Sequence, residues 1–362
     1  MSKKNFLIYA MAAVSTAALT TGCDKSGSPF SLAPDSSSYK QEAVYVPKKI
    51  DVLWVIDNSG SMETSQQNLA TNFQSFINRF QQNNYDFNMA VVTTDAWRKE
   101  FNANSELARI RDGAVLQRAP YPHIENHSGV FVMNNNTPDL SNVFSTNIKQ
   151  GTLGDGDERA IESMKQSLLD SFNVSLNFRR PEAFLAVIIV SDEEDFSHSS
   201  SSMNESYSNA GLRSVQSYVN FMDSYTGGTA SGRNYSISTI SVPDDACKTQ
   251  LSSDGFQRKI ATRLHELTAL TGGVKGSLCT NFGTTLTLIS DTIIQLSSSF
   301  KLQREPLPET IVVTVNGSVV LPDATNGWTY DAAKWTVTFH GNAVPPANAS
   351  VRIAFDPKTI KQ

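Results

Sequence analysis

The sequence lacks the features on which nucleic-acid-binding proteins and many enzymes depend. Its 362 residues include 30 Lys and Arg against 35 Asp and Glu, a formal net charge of −5, so it has no basic excess for nucleic acid. It contains no phosphate loop, no Gly-x-Ser-x-Gly elbow and no His-Glu-x-x-His motif. None of its three cysteines has another Cys or a His within a few residues, which argues against a Cys/His metal site. We therefore expect neither nucleic-acid binding nor an enzyme.

Long apolar runs are also scarce, and the longest lies at the N-terminus. Lys3 and Lys4 precede a run of about fourteen mostly apolar residues, Phe6 to Leu19, which is too short to span a membrane. This pattern is typical of a secretory signal peptide, which we assign to residues 1–22.

The signal region ends in Leu19-Thr20-Thr21-Gly22-Cys23, which resembles a bacterial lipobox. The resemblance implies cleavage after Gly22 and a lipid on Cys23, and an ordinary signal peptide with an incidental cysteine is the alternative. Residues 23–44 begin with a Ser-, Gly- and Pro-rich stretch that is typical of a flexible tether. We expect a lipid-anchored protein of the cell membrane or outer membrane, facing the periplasm or the cell surface.

Two cysteines remain once Cys23 is assigned to the lipid. Exported proteins retain disulfides, so Cys247 and Cys279 are interpreted as one bridge. Such a bridge would close a loop of roughly thirty residues and contribute about 3–4 kcal/mol. Two separate buried thiols are the alternative.

The middle of the chain alternates strand-like and helix-like segments. Ile50 to Ile56 and Phe184 to Val190 are almost continuously apolar, as in strands buried on both faces of a parallel sheet. Apolar residues at helical spacing follow, for example Leu69, Phe73, Phe76 and Phe80. The pattern predicts a doubly wound, mostly parallel α/β sheet flanked by helices over residues 45–300.

Helical periodicity ends near Pro306. Short β-branched runs and the Asn316-Gly317 turn signal predict a small all-β domain of four to six strands over residues 306–362. Such a small unit needs to pack against its neighbour for stability.

Both buried apolar runs end in aspartate. The first leads into Asp57-Asn58-Ser59-Gly60-Ser61, and the second into Ser191-Asp192. Ligands bind at the carboxyl ends of strands in open α/β sheets, so we expect these side chains to converge. Carboxylates and hydroxyls together suit Mg²⁺, Mn²⁺ or Ca²⁺ and not Zn²⁺ or Cu²⁺.

These residues resemble the metal-ion-dependent adhesion site of von Willebrand factor A domains. Asp57, Ser59 and Ser61 match the Asp-x-Ser-x-Ser motif, Thr152 in Gly151-Thr152-Leu153-Gly154 matches the threonine of the second loop, and Asp192 matches the later aspartate. The resemblance implies a Rossmann-like fold and one Mg²⁺, or Mn²⁺ or Ca²⁺, bound directly by serines and partly through water by carboxylates. It also implies an open position for a partner's carboxylate. The alternative is that Asp57 and Ser59 only cap the next helix.

The function that the resemblance implies is binding of a protein or matrix ligand through the cation. A structural or assembly scaffold that uses the same fold without metal-dependent capture is the alternative. Two further acidic groups have simpler interpretations. Asp155, Asp157 and Glu158 are expected to favour a helix N-terminus, with ligation as the lesser alternative. Residues 193–195 are expected to form a solvated acidic loop, and a second cation site or tuning of the first site is the alternative.

Overall fold

The computed structural model describes residues 41–45, 49–115, 124–125, 127–227, 233–346 and 349–359. The predicted signal peptide and Cys23 lie outside these residues. Within the described ranges, none of the helices is both long enough and apolar enough to cross a membrane.

The elements are numbered in chain order. The strands are β1 (Gln41–Tyr45), β2 (Ile50–Ile56), β3 (Phe87–Thr93), β4 (Ala114–Val115), β5 (Ile124–Glu125), β6 (Met133–Asn134), β7 (Phe184–Val190), β8 (Tyr235–Ser241), β9 (Lys275–Ser277), β10 (Ser299–Lys301), β11 (Val312–Val315), β12 (Ser318–Val320), β13 (Trp328–Asp331), β14 (Thr336–Phe339) and β15 (Val351–Phe355). The helices are α1 (Glu63–Gln82), α2 (Leu140–Ile148), α3 (Ala160–Leu169), α4 (Ser171–Ser175), α5 (Val215–Tyr225), α6 (Asp245–Leu251), α7 (Thr262–Thr271) and α8 (Phe282–Ser297). Short 3₁₀ helices cover Thr94–Glu100, Ser252–Asp254, Pro308–Thr310 and Gly341–Ala343.

The central sheet has the strand order β6-β3-β2-β7-β8-β9. Strands β3, β2, β7, β8 and β9 are parallel, and the short edge strand β6 runs antiparallel to β3. Every residue of β2 and of β7 is buried, as their continuous apolar sequences predict. The predicted doubly wound fold is confirmed.

Strand β2 shows how the sheet is covered on both faces. Val52 and Trp54 belong to one core with apolar residues of α1, α2 and α8, whereas Leu53 and Val55 belong to the other with α3, α5 and α7. This is the two-residue alternation of a strand. Trp54 meets the rings of Phe76 and Phe144 edge-on, with centroids 5.1 and 5.4 Å away. The site-bearing strands are therefore rigidly held from both sides.

The C-terminal residues form two small antiparallel sheets around a separate apolar core, with the orders β1-β15-β11-β12 and β10-β14-β13. The predicted all-β part is confirmed. Two of its strands lie outside the predicted range of 306–362: β1 pairs with β15 along its whole length, and β10 pairs with β14. Residues 41–44, assigned to the tether from sequence, therefore belong to a strand, because the edge of β15 needs a partner for its backbone groups. We call the two sheets together the β module.

The β module packs against the helical layer of α1 and α8. The Tyr85 hydroxyl after α1 donates to the carbonyl oxygen of Pro345 at 3.0 Å and lies 2.8 Å from the Ser298 hydroxyl. Gln295 at the end of α8 lies 3.0 Å from the His340 ring. The described residues from 41 to 359 thus belong to one compact unit.

Candidate metal centre

The sheet topology brings the ends of β2 and β7 together. These strands are hydrogen-bonded neighbours, and the backbone N–H of Asp57 continues their pairing by donating to the Val190 carbonyl at 2.9 Å. Asp57 and Asp192 each follow a strand end, so both carboxylates lie at the same edge of the sheet.

Asp57 is completely buried and hydrogen-bonded through both carboxylate oxygens. Its Oδ1 accepts from the Ser59 backbone N–H at 2.8 Å, and its Oδ2 accepts from the Ser191 hydroxyl at 2.7 Å. The first bond folds residues 57–59 into a tight Asx-type turn. That turn directs the chain towards Ser61.

The two serines of the motif connect Asp57 to Asp192. The Ser59 and Ser61 hydroxyl oxygens lie 3.3 Å apart, and Ser61 donates to Asp192 Oδ1 at 3.0 Å. A serine hydroxyl that donates its hydrogen to a carboxylate keeps its oxygen lone pairs free for a cation. Four of the five predicted ligands, Asp57, Ser59, Ser61 and Asp192, therefore converge.

The fifth predicted ligand, Thr152, lies in a groove next to the start of α1, and none of the four converging residues lines that groove. It lines that groove with Glu63 and Gln66. The Gln66 amide joins the two loops by donating to the carbonyl oxygens of Asp57 at 3.0 Å and Gly151 at 2.8 Å. Within the described residues, no hydrogen bond links the Thr152 side chain to the four converging residues.

Gly154 fixes the second loop against the first. Its N–H donates to the Asn58 carbonyl at 2.7 Å, and a Cβ added there would lie 2.6 Å from atoms of Asn58. The loops approach so closely at this point that only glycine fits.

Arg258 is a member of the site that sequence reasoning missed. Its Nε donates to Asp192 Oδ2 at 2.7 Å, and its guanidinium also pairs with Asp254, while both Arg258 and Asp192 are only 2% exposed at the side chain. The guanidinium thus supplies one fixed positive charge beside Asp192. No local motif marked it, because it lies in a short irregular segment between α6 and α7.

The remaining negative charge is incompletely compensated. Burial, followed by repulsion from Asp192, raises the pKa of the Asp57 carboxyl to about 7. Burial also raises the pKa of Glu193 to about 7, although the ammonium group of Lys259 opposes the shift. Buried carboxylates in this state are stabilised by a cation.

Two interpretations from sequence are wrong. Helix α1 begins at Glu63 after Met62, and no side chain caps it, so Asp57 and Ser59 are not its caps. Residues 193–195 do not form a solvated loop, because Glu194 and Asp195 are each only 1% exposed. Asp195 Oδ1 accepts from the Ile161 backbone N–H at the start of α3, and Glu194 accepts from the Arg263 backbone N–H, so these carboxylates satisfy buried helix ends.

The predicted disulfide between Cys247 and Cys279 is confirmed. It joins α6 to the segment that precedes α8. The residues that follow α6 include Asp254, Phe256 and Arg258, so the bridge anchors the segment that supplies the guanidinium.

The donor set fits a hard divalent cation. Two carboxylates and two hydroxyls provide only oxygen, the ligand type of Mg²⁺, Mn²⁺ and Ca²⁺. Among the described residues, no three His, Cys, Asp or Glu side chains form a metal-binding group on their own, so the serine hydroxyls are essential to this fit.

The sheet order, the two-sided helical cover and the Asp-x-Ser-x-Ser turn at the end of β2 now decide the fold. The main domain has the doubly wound fold that the resemblance to von Willebrand factor A domains implies. Asp57, Ser59, Ser61 and Asp192 lie together at the carboxyl edge of its sheet.

Comparison with known proteins gives distant likenesses. No protein family and no curated protein matches the sequence. Proximal thread matrix protein 1 from the mussel byssus is 12% identical with a TM-score of 0.40, and the match covers 73% of this chain and 52% of that one. A structure of the same protein with a zinc occupied MIDAS motif is 10% identical, with a TM-score of 0.37 and coverage of 73% and 52%. The pilus adhesin SpaC from Lactobacillus rhamnosus GG is 11% identical, with a TM-score of 0.36 and coverage of 85% and 38%.

This chain spans about half the length of the mussel protein and less of the adhesin. At these identities the function must be argued from the site itself.

Proposed function

We propose that the protein is a non-enzymatic binding protein of the bacterial cell envelope that recognises a protein or matrix ligand through a divalent cation. Asp57, Ser59, Ser61 and Asp192 would hold the cation, with Thr152 as a further ligand if the second loop turns its hydroxyl inward. The ion, Mg²⁺ or alternatively Mn²⁺ or Ca²⁺, would supply a Lewis-acidic position for a carboxylate oxygen of the partner.

The observation that supports this proposal best is the hydrogen-bonded chain Asp57–Ser59–Ser61–Asp192. Its members come from two separate strand ends and share no other evident purpose, since they do not cap α1. The site also reaches the surface, because Gly60 is exposed and Ser61 is partly exposed. A partner's acidic side chain therefore has access from the solvent side.

An exposed aromatic side chain beside the site agrees with recognition of a macromolecule. Phe256 is 48% exposed and its ring lies 3.3 Å from the position of a Cβ on Gly60. An exposed aromatic ring beside a charged centre is typical of interface contacts. We propose that Phe256 forms part of the contact surface around the cation.

A scaffold role without metal-dependent capture remains a second candidate. Arg258 favours it, because the guanidinium already neutralises Asp192 and stabilises the site without a metal. The two functions differ in their response to chelator, which would abolish cation-dependent capture and leave a scaffold unaffected.

The decisive test is calorimetric titration of residues 24–362 with Mg²⁺, Mn²⁺ and Ca²⁺. We expect binding in the millimolar range or tighter, abolished by Asp57→Ala and weakened by Ser59→Ala. Ser206→Ala, which removes a partly exposed hydroxyl bonded to Ser208 and to none of the proposed ligands, is the control. Absence of binding by the wild type would leave the scaffold role. Pull-down from envelope extract with Mg²⁺ and then with chelator would identify the partner.

The proposed location has a separate test. The lipobox-like sequence before Cys23 supports a lipid anchor in the cell membrane or outer membrane. We expect Cys23→Ser, expressed in the native host, to move the protein from the membrane to the soluble fraction. Unchanged membrane association would count against the anchor.

A further inference from the structure

The two most exposed large apolar side chains among the described residues lie together on the β module. Val319 in β12 is 63% exposed, and Leu321, directly after this strand, is 72% exposed. Val312 in the neighbouring strand β11 is 39% exposed. Single exposed apolar side chains are ordinary on a protein surface, whereas a group of them marks a contact surface.

The strand register places these three side chains on one face of the sheet. Thr314 pairs with Val319, and the same register continued by one residue sets Leu321 opposite Val312. Val313 is fully buried in the core of the β module, so its neighbours on the strand point to the other face. Paired strands lie about 4.8 Å apart, and the three aliphatic side chains therefore form one patch. We call this face of the sheet, which carries Val312, Thr314, Val319 and Leu321, the outer face.

The outer face points away from the α/β domain. The second sheet of the β module lies on the opposite side of the module core, where Phe339 of β14 meets the same apolar cluster as Val313. Thr338, the preceding residue of β14, faces the other way and lines a cleft with Phe184 and Tyr235 of the α/β domain. The layers therefore follow in the order α/β domain, second sheet, module core, first sheet and outer face.

The outer face and the proposed cation site lie at opposite ends of the molecule. Phe184 and Tyr235, which line the cleft next to the β module, are the first residues of β7 and β8. Asp57 and Asp192 follow the last residues of β2 and β7. The seven residues of β2 alone span about 20 Å between these two edges of the central sheet. A surface that covered the outer face would leave the cation site open.

The N-terminal segment joins the protein at the sheet that carries the outer face. Strand β1 is the first described element, and it belongs to the same sheet as β11 and β12. Residues 24–40 separate it from Cys23, and a chain of this length reaches at most about 60 Å when fully extended. A lipid on Cys23 would thus keep this end of the molecule at a high effective concentration near the bilayer.

The chemistry of the outer face favours lipid over a protein partner. The cores of protein interfaces are enriched in Tyr, Trp and Phe. None of the residues of β11 and β12 is aromatic, and Phe355, the aromatic residue of β15, is turned into the module core. Aliphatic side chains such as leucine are suited to the boundary between lipid headgroups and acyl chains.

We propose that the outer face of the β module rests on the lipid bilayer, with Val312, Val319 and Leu321 inserted among the headgroups, so that the cation site is presented away from the membrane. This inference rests on the proposed location in the cell envelope and goes beyond the proposed function. The lipid on Cys23 would keep the protein at the membrane, and the outer face would set its orientation there.

The test uses the protein from Cys23 onwards, coupled through that thiol to a maleimide lipid in vesicles of phosphatidylethanolamine and phosphatidylglycerol. The coupling is specific because Cys247 and Cys279 are joined to each other. A benzophenone amino acid in place of Thr314 reports contact with lipid by photo-crosslinking. We expect several-fold more lipid adducts than from the same probe in place of Met203, which is 60% exposed in the loop after β7. Equal yields at the two positions would overturn the proposal.

The triple variant Val312→Thr, Val319→Thr, Leu321→Gln tests the patch itself. With the probe at position 314, we expect it to lower the yield of lipid adducts several-fold, because it removes the apolar side chains that would insert. Its melting temperature should stay close to that of the wild type, since the three side chains are exposed. Leu288→Gln, at an apolar residue of α8 that is 54% exposed, is the matched control and should leave the yield unchanged. An undiminished yield from the triple variant would contradict the proposal.

A second copy of the chain is the competing occupant of the outer face. Sedimentation velocity of residues 24–362 without vesicles decides this point. A dimer of the wild type that the triple variant converts to a monomer would overturn the lipid proposal in favour of self-association, whereas monomers of both proteins support it.

Failure of the proposed location has its own measurement. If Cys23→Ser leaves membrane association unchanged in the native host, the lipid anchor fails, whereas the coupled vesicles decide separately whether the outer face contacts lipid.

Discussion

Asp57 illustrates how a single buried carboxylate couples the site to the stability of the fold. In the metal-free protein its pKa is raised from 3.8 to about 7, so the folded state binds its proton more tightly than the unfolded state does. Between these two values the folded protein holds more protons, and the free energy of unfolding therefore decreases as the pH rises. Below pH 3.8 and above pH 7 this residue contributes no further pH dependence.

This linkage predicts the behaviour of Asp57→Asn, which cannot ionise. In chelator, we expect the stability of the variant relative to the wild type to increase as the pH is raised from about 4 to about 7. Urea unfolding at a series of pH values measures it. Asp323→Asn, at an exposed loop position, is the control and should show no such rise. A pH-independent difference for Asp57→Asn would show that its carboxyl titrates normally.

Arg258 stabilises the site in the metal-free protein but opposes binding of a cation. Its guanidinium stabilises Asp192 without metal, but it also places a positive charge beside the position of a divalent ion. We expect Arg258→Met to lower the melting temperature in chelator, because breaking a buried ion pair costs about 3–5 kcal/mol. The same change should enlarge the increase in melting temperature caused by saturating Mg²⁺.

Lys259→Met is the control for Arg258. Lys259 is also basic but 40% exposed, and it pairs with Glu193 and Glu205 at the periphery. Its loss should change both melting temperatures less. If Arg258→Met shows the same Mg²⁺-induced increase as the wild type, the guanidinium does not compete with the ion.

The residues that could be predicted from sequence are those that follow strand ends. Asp57 and Asp192 lie next to apolar runs whose pairing in a parallel sheet is almost obligatory, so their proximity follows from the topology. Arg258 approaches the same point from an irregular segment after α6. Its position depends on its ion pairs with Asp192 and Asp254, for which no short sequence pattern exists.

At the scale of elements, the hydrophobic patterns predict the buried strands correctly, whereas the interpretation of the acidic run after β7 is wrong. The fully buried strands β2 and β7 were recognised by composition alone. The acidic run after β7 was interpreted as solvated, because charge usually indicates exposure. Instead, Asp195 and Glu194 bond to the first turns of α3 and α7, where unpaired N–H groups favour a carboxylate.

The disulfide is the covalent constraint on the elements around the site. Cys247 lies in α6, and Cys279 lies 32 residues later. A closed loop of this size stabilises a fold by about 3–4 kcal/mol through the restricted unfolded state. We expect the double variant Cys247→Ser, Cys279→Ser to lose stability of this order in urea unfolding.

The same variant should also enlarge the increase in melting temperature caused by saturating Mg²⁺, because a loosened segment holds the competing Arg258 guanidinium less firmly beside Asp192. Wild-type protein treated with reductant should behave in the same way. If the variant retains wild-type stability, the bridge contributes nothing to the folded protein under those conditions.

At the scale of the whole molecule, the two ends of the described chain meet in one sheet. Strand β1 pairs with β15 over five residue pairs, from Gln41 with Phe355 to Tyr45 with Val351. The doubly wound α/β domain is thus inserted between the first strand of the β module and the rest. Sequence patterns could not predict this, because the pairing of β1 and β15 joins segments separated by almost the whole chain and has no local signal.

This topology predicts that the β module does not fold as a separate C-terminal fragment. A fragment starting at Glu305 lacks β1 and β10, and with β10 it loses Phe300, which meets Phe339 edge-on with ring centroids 5.9 Å apart. It also loses the contact surface provided by α1 and α8. Too little apolar area would then be buried to offset the entropy of ordering so short a chain.

We therefore expect the fragment 305–362 to show no cooperative thermal unfolding by circular dichroism, whereas residues 24–362 unfold cooperatively. Deleting residues 24–45 from the longer protein is the intermediate case. It exposes the edge of β15, so hydrogen exchange should accelerate in β15 and β11 and remain slow in β2 and β7. A sharp transition for the isolated fragment, or unchanged exchange in β15 after the deletion, would mean that the strands contributed from outside residues 306–362 are dispensable.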